Sequence, residues 1–127
     1  MRESAIVVLC LLSLGCDLGR TEHVLITPPG GAPVSDSVRQ VSAAITAAAA
    51  ARHRLRVEEE STTRRCFARA VGGATLRLCE GPATTGGLDV WVSEAITSNW
   101  SPVGDSLRHE VTDTLRTRFG PWVTQRE

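Results

Sequence analysis

Four cysteines and three histidines are the side chains best able to do chemistry in this 127-residue sequence. Cys10 and Cys16 lie in an N-terminal apolar run, whereas Cys66 and Cys79 lie in the body of the chain. The histidines are scattered, and no Ser, His and Asp set is suggested by their surroundings. One local pattern has metal-ligand spacing: His109-Glu110-x-x-Asp113. Residues four apart share a helix face, so His109 and Asp113 could both reach one metal ion. The pattern departs from the zinc helix at its second His, and no further His follows. It reads as a solvated helix face with a His109–Asp113 pair and an Asp113–Arg116 pair. No catalytic residue, metal or cofactor is expected.

The cysteine at position 16 closes a different pattern. Arg2 gives a short positive start, and Ala5 to Leu14, AIVVLCLLSL, form an apolar run. That run is the length of a signal-peptide core and well short of the ~20 residues a membrane-spanning helix needs. Ser13-Leu14-Gly15-Cys16 follows, and it resembles the lipobox of bacterial lipoproteins. The resemblance covers Met1 to about Leu18. It implies that the Cys16 thiol takes a diacylglycerol group, that the chain is cut before it, and that several acyl chains, palmitate among them, anchor the new N-terminus in a membrane. Asp17 acts as an inner-membrane signal in enteric members of the class; the choice between inner and outer membrane stays open.

The net charge is zero, without the basic stripe that nucleic acid binding requires. All fourteen basic residues are Arg, which together with abundant Ala and Gly reads as compositional bias. An exported protein can keep a disulfide, so Cys66 and Cys79 are candidates for one.

The elements that must position these residues follow from periodicity. Residues 17–33 carry Gly and Pro throughout and read as a tether, with His23 to Thr27 as a short β-prone stretch that is either an edge strand or part of it. Ser35 or Asp36 caps a helix whose apolar stripe is Val38, Val41, Ile45 and Ala48. From Arg54 the period becomes two, giving a strand through Val57. Arg64–Val71 and Ala74–Glu80 flank Gly72-Gly73, a two-residue hairpin signal. With Val71 facing Ala74, counting outward sets Ala68 opposite Arg77, Phe67 opposite Leu78 and Cys66 opposite Cys79. The last is a non-hydrogen-bonded pair, where Cα atoms approach to ~4.5 Å, within a disulfide's reach. Phe67, Val71, Leu76 and Leu78 then share the core face, and the disulfide lies on the other. Leu88, Val90 and Val92 make a fourth strand. Ser101-Pro102 opens a second helix with the stripe Val103, Leu107, Val111, Leu115 and Phe119, ended by Gly120-Pro121.

The reading is an α+β two-layer sandwich: a four-stranded antiparallel meander, flanked in sequence by two helices packed on one face. Residues 1–15 are expected to be a signal peptide, 16–34 a lipid-anchored tether, 35–120 the domain and 121–127 a tail. The face away from the helices should carry Ala68, Trp91, Arg77 and Arg56, with Arg54 nearby, as small residues and a Trp ringed by Arg. That mixture resembles an interface core and rim. The expected function is a non-catalytic, membrane-anchored envelope lipoprotein that binds a protein partner or serves assembly, facing the periplasm or cell exterior. The alternatives are a small-ligand or lipid carrier, and a metal-dependent hydrolase using His109, Glu110 and Asp113.

Overall fold

The computed structural model describes residues 19–95 and 99–126. The expected signal peptide and Cys16 lie outside the described residues. The chain runs β1 (Arg20–Ile26), α1 (Asp36–Arg52), β2 (Arg56–Glu60), β3 (Arg65–Val71), β4 (Ala74–Pro82), β5 (Leu88–Glu94), α2 (Pro102–Phe119) and β6 (Val123–Arg126). The strands form one antiparallel sheet in the order β2-β3-β4-β5-β1-β6.

The sheet therefore has six strands where the periodicity yields four. Residues 20–26 are not tether but an inner strand, paired with β5 on one side and β6 on the other. The tail likewise supplies β6. Neither strand has a tight turn tying it to a paired neighbour, and β6 is only four residues long, so only the distant partner reveals them. Their contribution is plain in the core: Val24 and Ile26 are buried beside Val90 and Leu88.

Both helices lie on one face. Leu107, Val111 and Leu115 of α2 pack at zero exposure against the inward rows of the sheet, among them Leu76, Leu78, Val90 and Ile26. Spacings of four keep these three residues on one side of the helix. Ser101 caps α2 by accepting from the Gly104 amide at 3.0 Å, and Ser35 caps α1 by accepting from the Val38 amide at 3.2 Å. Gly120, at φ 55°, takes the chain out of α2 into the turn before β6.

The register of the β3–β4 hairpin agrees with the sequence count at every pair from Arg65–Glu80 to Val71–Ala74. Gly72 takes φ +61° and Gly73 stays out of the positive region, so glycine is demanded at the first central position of the turn.

Helix α1 is turned relative to expectation. Ser42, Thr46, Ala49 and Ala50 face the sheet and are buried, while Ala44 and Ala48 are exposed and Val41 and Ile45 are half-buried. The sheet beneath α1 explains this. Arg65 and Glu80 point inward there, 2.7 Å apart. Arg65 donates to the Ala43 carbonyl at 2.8 Å and to Thr46 Oγ1 at 3.0 Å, and Thr46 donates to Glu80 at 3.1 Å. The pair is half-buried, and a partly desolvated ion pair is steadied by further polar partners; Thr46 supplies one while small neighbours let the helix come close. An apolar-stripe count cannot see that requirement.

Candidate functional site

The sheet face opposite the helices is the candidate site. Alternation along each strand sends every second residue to it, and the registers arrange these residues in rows. One row crosses five strands as Cys66, Cys79, Trp91, His23 and Arg126. The next reads Arg56, Ala68, Arg77, Ser93 and Thr21. The four residues expected on this face, Trp91, Arg77, Ala68 and Arg56, thus share it. Arg54 does not: it sits at φ +62° in the turn before β2, outside the sheet.

Cys66 and Cys79 form a disulfide with their Cα atoms 4.1 Å apart. Both are buried, at 5% and 3% exposure. Trp91 stands directly across from Cys79 on β5 and is half-buried. On its other side lies His23, with ring centroids 6.0 Å apart and an interplanar angle of 32°. His23 Nδ1 lies 3.0 and 3.1 Å from the two Asp89 oxygens. The carboxylate accepts from Nδ1–H and so fixes the tautomer that leaves Nε2 without the proton when the ring is neutral. Once protonated, His23 makes an ion pair with Asp89 in addition.

Arg77 extends the face towards β2. Its guanidinium donates to Glu58 from Nε at 2.9 Å and from Nη2 at 3.1 Å. Glu58 lies where the β2–β3 register shifts between Val57 and Glu59. A bulge of this kind bends an edge strand and redirects a side chain. Beside it, Glu59 receives Arg64 at 2.6 Å, and this pairing with hydrogen bonding raises the Arg64 pKa further above its ordinary value. The Glu58-Glu59-Glu60 run is thus an exposed, charged edge, the arrangement that discourages strand addition.

No family model, curated protein or solved structure matches the chain. Its function must be argued from its own residues.

The pattern His109, Glu110 and Asp113 does not converge. Glu110 turns towards the end of α1, where Arg52 donates to it through Nε at 3.1 Å and Nη2 at 3.0 Å. These hydrogen bonds and the attendant charge attraction raise the Arg52 pKa. His53 Nε2 lies 3.5 Å from the same carboxylate. His109 turns instead to Asp105, 3.5 Å away and one turn earlier, in place of the expected pairing with Asp113. Asp113 lies exposed at a groove between the helices. The expected Asp113–Arg116 pair is also replaced: Arg116 donates to Gln125 on β6 at 2.8 Å. Among the described residues no three His, Cys, Asp or Glu side chains are grouped to hold a metal.

Two further carboxylates are buried under the helices. Glu22, at 3% exposure, accepts from Arg108 at 2.8 Å, Thr112 at 3.1 Å and Gln125 at 2.7 Å. Burial works against the Arg108 charge, but hydrogen bonds to Asp105 and Glu22 outweigh it and raise its pKa. Glu94, at 1% exposure, is taken up by the start of α2. Every oxygen of these two groups is committed to a structural partner, so their role is to fasten helix to sheet.

Sequence reasoning missed the His23–Asp89 pair. The alternation of β5 is legible in the sequence and His23 to Thr27 reads as β-prone, but the pair spans 66 positions and needs β1 to be β5's neighbour.

Proposed function

We propose that this chain is a membrane-anchored envelope lipoprotein, tethered through lipid on Cys16, which acts by binding a protein partner and not by catalysis. The observation that supports the reading most directly is the one-sided covering of the sheet. The helices cover one face, and the other presents Trp91, His23 with Asp89, and Arg77 with Glu58 around a buried disulfide. A rigid aromatic beside small residues and paired charges of both signs is the composition of an interface core with its rim. The disulfide and six-stranded sheet hold that surface stiff, which lowers the ordering cost of binding. Ser13-Leu14-Gly15-Cys16 supports the lipid anchor, and an exported location suits the disulfide.

Two measurements test the reading. Labelled palmitate is expected in the wild type and absent from Cys16→Ser; mature protein beginning elsewhere than Cys16 refutes the anchor. Crosslinking and capture of the intact protein from membranes should recover a partner with the wild type and lose it with Trp91→Ala and with Arg77→Glu, at unchanged accumulation. Unchanged capture by both variants refutes the binding face. Arg77 and Glu58 are an exposed pair, worth about 0–1 kcal/mol, so Arg77→Glu separates binding from folding.

A further inference from the structure

The zero net charge of the sequence hides a separation of charge along the strands. Every pairing in the sheet is antiparallel, so the starts of β1, β2 and β4 and the ends of β3, β5 and β6 fall at one end of the domain. The end of α1 and the start of α2 join them there. Arg54, Arg56, Arg69 and Arg126 lie at this end and make no ion pair among the described residues. The carboxylates nearest them are taken: Glu94 by Ser101, Glu110 by Arg52 and Glu22 by Arg108. The exposed acids Asp36, Glu58, Glu59 and Glu60 stand towards the opposite end. The chain leading from Cys16 enters at the basic end. Gly19 lies against the backbone of Glu94 and Ala95, and β1 begins at Arg20. Four residues carry the chain from Cys16 to Arg20, a reach of at most about 14 Å. The β3–β4 hairpin stands out at the same end. Arg20, Glu94, Leu76 and Arg69 align in one row across four strands. The hairpin continues two residues and its turn beyond that row, about 7 Å or more. Its tip, residues 70–75, carries no charge.

We infer that this end of the domain rests on an anionic lipid surface, with Arg54, Arg56 and Arg69 against headgroup phosphates and the uncharged hairpin tip among the headgroups. The inference rests on the proposed lipid anchor at Cys16 for its distance. Attraction between arginines and an anionic leaflet fades within about 10 Å in salt. A reach of about 14 Å from Cys16, part of it filled by the projecting hairpin, holds the arginines on that scale. The longer tether expected from the sequence would let the domain leave the layer; β1 beginning at Arg20 removes that freedom. Strand ends on the membrane set the sheet upright, so the Trp91 face stays open to a partner.

The test uses the full chain, extracted from membranes and placed on vesicles of phosphatidylcholine alone or with an equal part of phosphatidylglycerol. Amide hydrogen exchange over residues 54–56 and 70–75 should slow about tenfold on the anionic vesicles relative to the neutral ones. Residues 58–64, towards the opposite end, should be unchanged. Each arginine near an anionic surface strengthens the contact roughly fivefold, so Arg54→Gln/Arg56→Gln should remove most of the protection. Arg39→Gln/Arg64→Gln, at the opposite end, should keep it. All four side chains are exposed, so circular dichroism should not change. Equal exchange on the two kinds of vesicle overturns the inference, as does protection that survives Arg54→Gln/Arg56→Gln. Protection found in native membranes and absent on anionic vesicles assigns this end to a protein and overturns it too. The mass of the same sample reports the acyl chains on Cys16, which keeps the two readings apart. An acylated chain without protection refutes this contact alone. An unacylated chain refutes the anchor, and its exchange on the anionic vesicles then decides the contact by itself.

Discussion

Glu94 at the end of β5 holds Ser101 at the start of α2: its carboxylate accepts from the Ser101 amide at 2.6 Å and from the Ser101 hydroxyl at 2.5 Å. Ser101 Oγ in turn accepts from the Gly104 amide. A buried carboxylate is thereby satisfied by the unpaired donors and positive end of a helix. Gly104 leaves room for this fit: a Cβ there would lie 3.0 Å from the Glu94 carboxylate and would press on it.

Glu94→Ala should therefore destabilise the protein by roughly 2–4 kcal/mol, because it strips the Ser101 amide of its partner and leaves a cavity. Glu94→Gln keeps the volume and one acceptor oxygen and should cost less. Urea midpoints at constant slope provide the measurement; equal midpoints for Glu94→Ala and wild type would refute the assignment.

Loss of the Cys66–Cys79 bridge should cost about 3 kcal/mol in the chain-entropy view, given the short loop it closes. The melting temperature of Cys66→Ser/Cys79→Ser should fall by about 10–20 °C, on the scale set by a domain of this size. The hairpin register is fixed by Gly72-Gly73 as well, so the folded circular dichroism spectrum should persist at low temperature.

Ser42 presents a buried hydroxyl at the α1–sheet interface that has no hydrogen-bond partner among the described residues. Ser42→Ala removes an unsatisfied polar group and should stabilise the fold by about 1 kcal/mol. A destabilisation in chemical denaturation would show that the hydroxyl has a partner after all.

Gly87 precedes β5 where β1 ends. A Cβ there would stand 2.5 Å from the Ile26 carbonyl oxygen. Backbone on both sides cannot yield cheaply, so Gly87→Ala should cost about 2 kcal/mol or more. Gly73→Ala, in open space, is the control and should cost clearly less.

The sequence by itself determined what local interactions decide. Gly72-Gly73 and the alternation around it set the hairpin, and pairing arithmetic then set Cys66 opposite Cys79. Ser35 and Ser101 marked the helix starts, and fourfold spacing marked Leu107, Val111 and Leu115 as core. The same alternation put Arg56, Ala68, Arg77 and Trp91 on one face. Each of these readings needs only a neighbouring turn or a backbone period.

Only the tertiary structure decided which strands are neighbours and what lies under each helix. β1 and β6 have no hairpin turn to a paired neighbour, and their membership comes from partners far along the chain. That pairing is what brings His23 to Asp89 and Trp91. The orientation of α1 was likewise set from outside the helix. The sequence offers Val38, Val41, Ile45 and Ala48 as its apolar stripe, but an inward Arg65–Glu80 pair needs a polar, closely packed helix face above it. Thr46 and the Ala43 carbonyl face the half-buried Arg65–Glu80 pair, and Val41, Ala44, Ile45 and Ala48 line the groove between the helices instead.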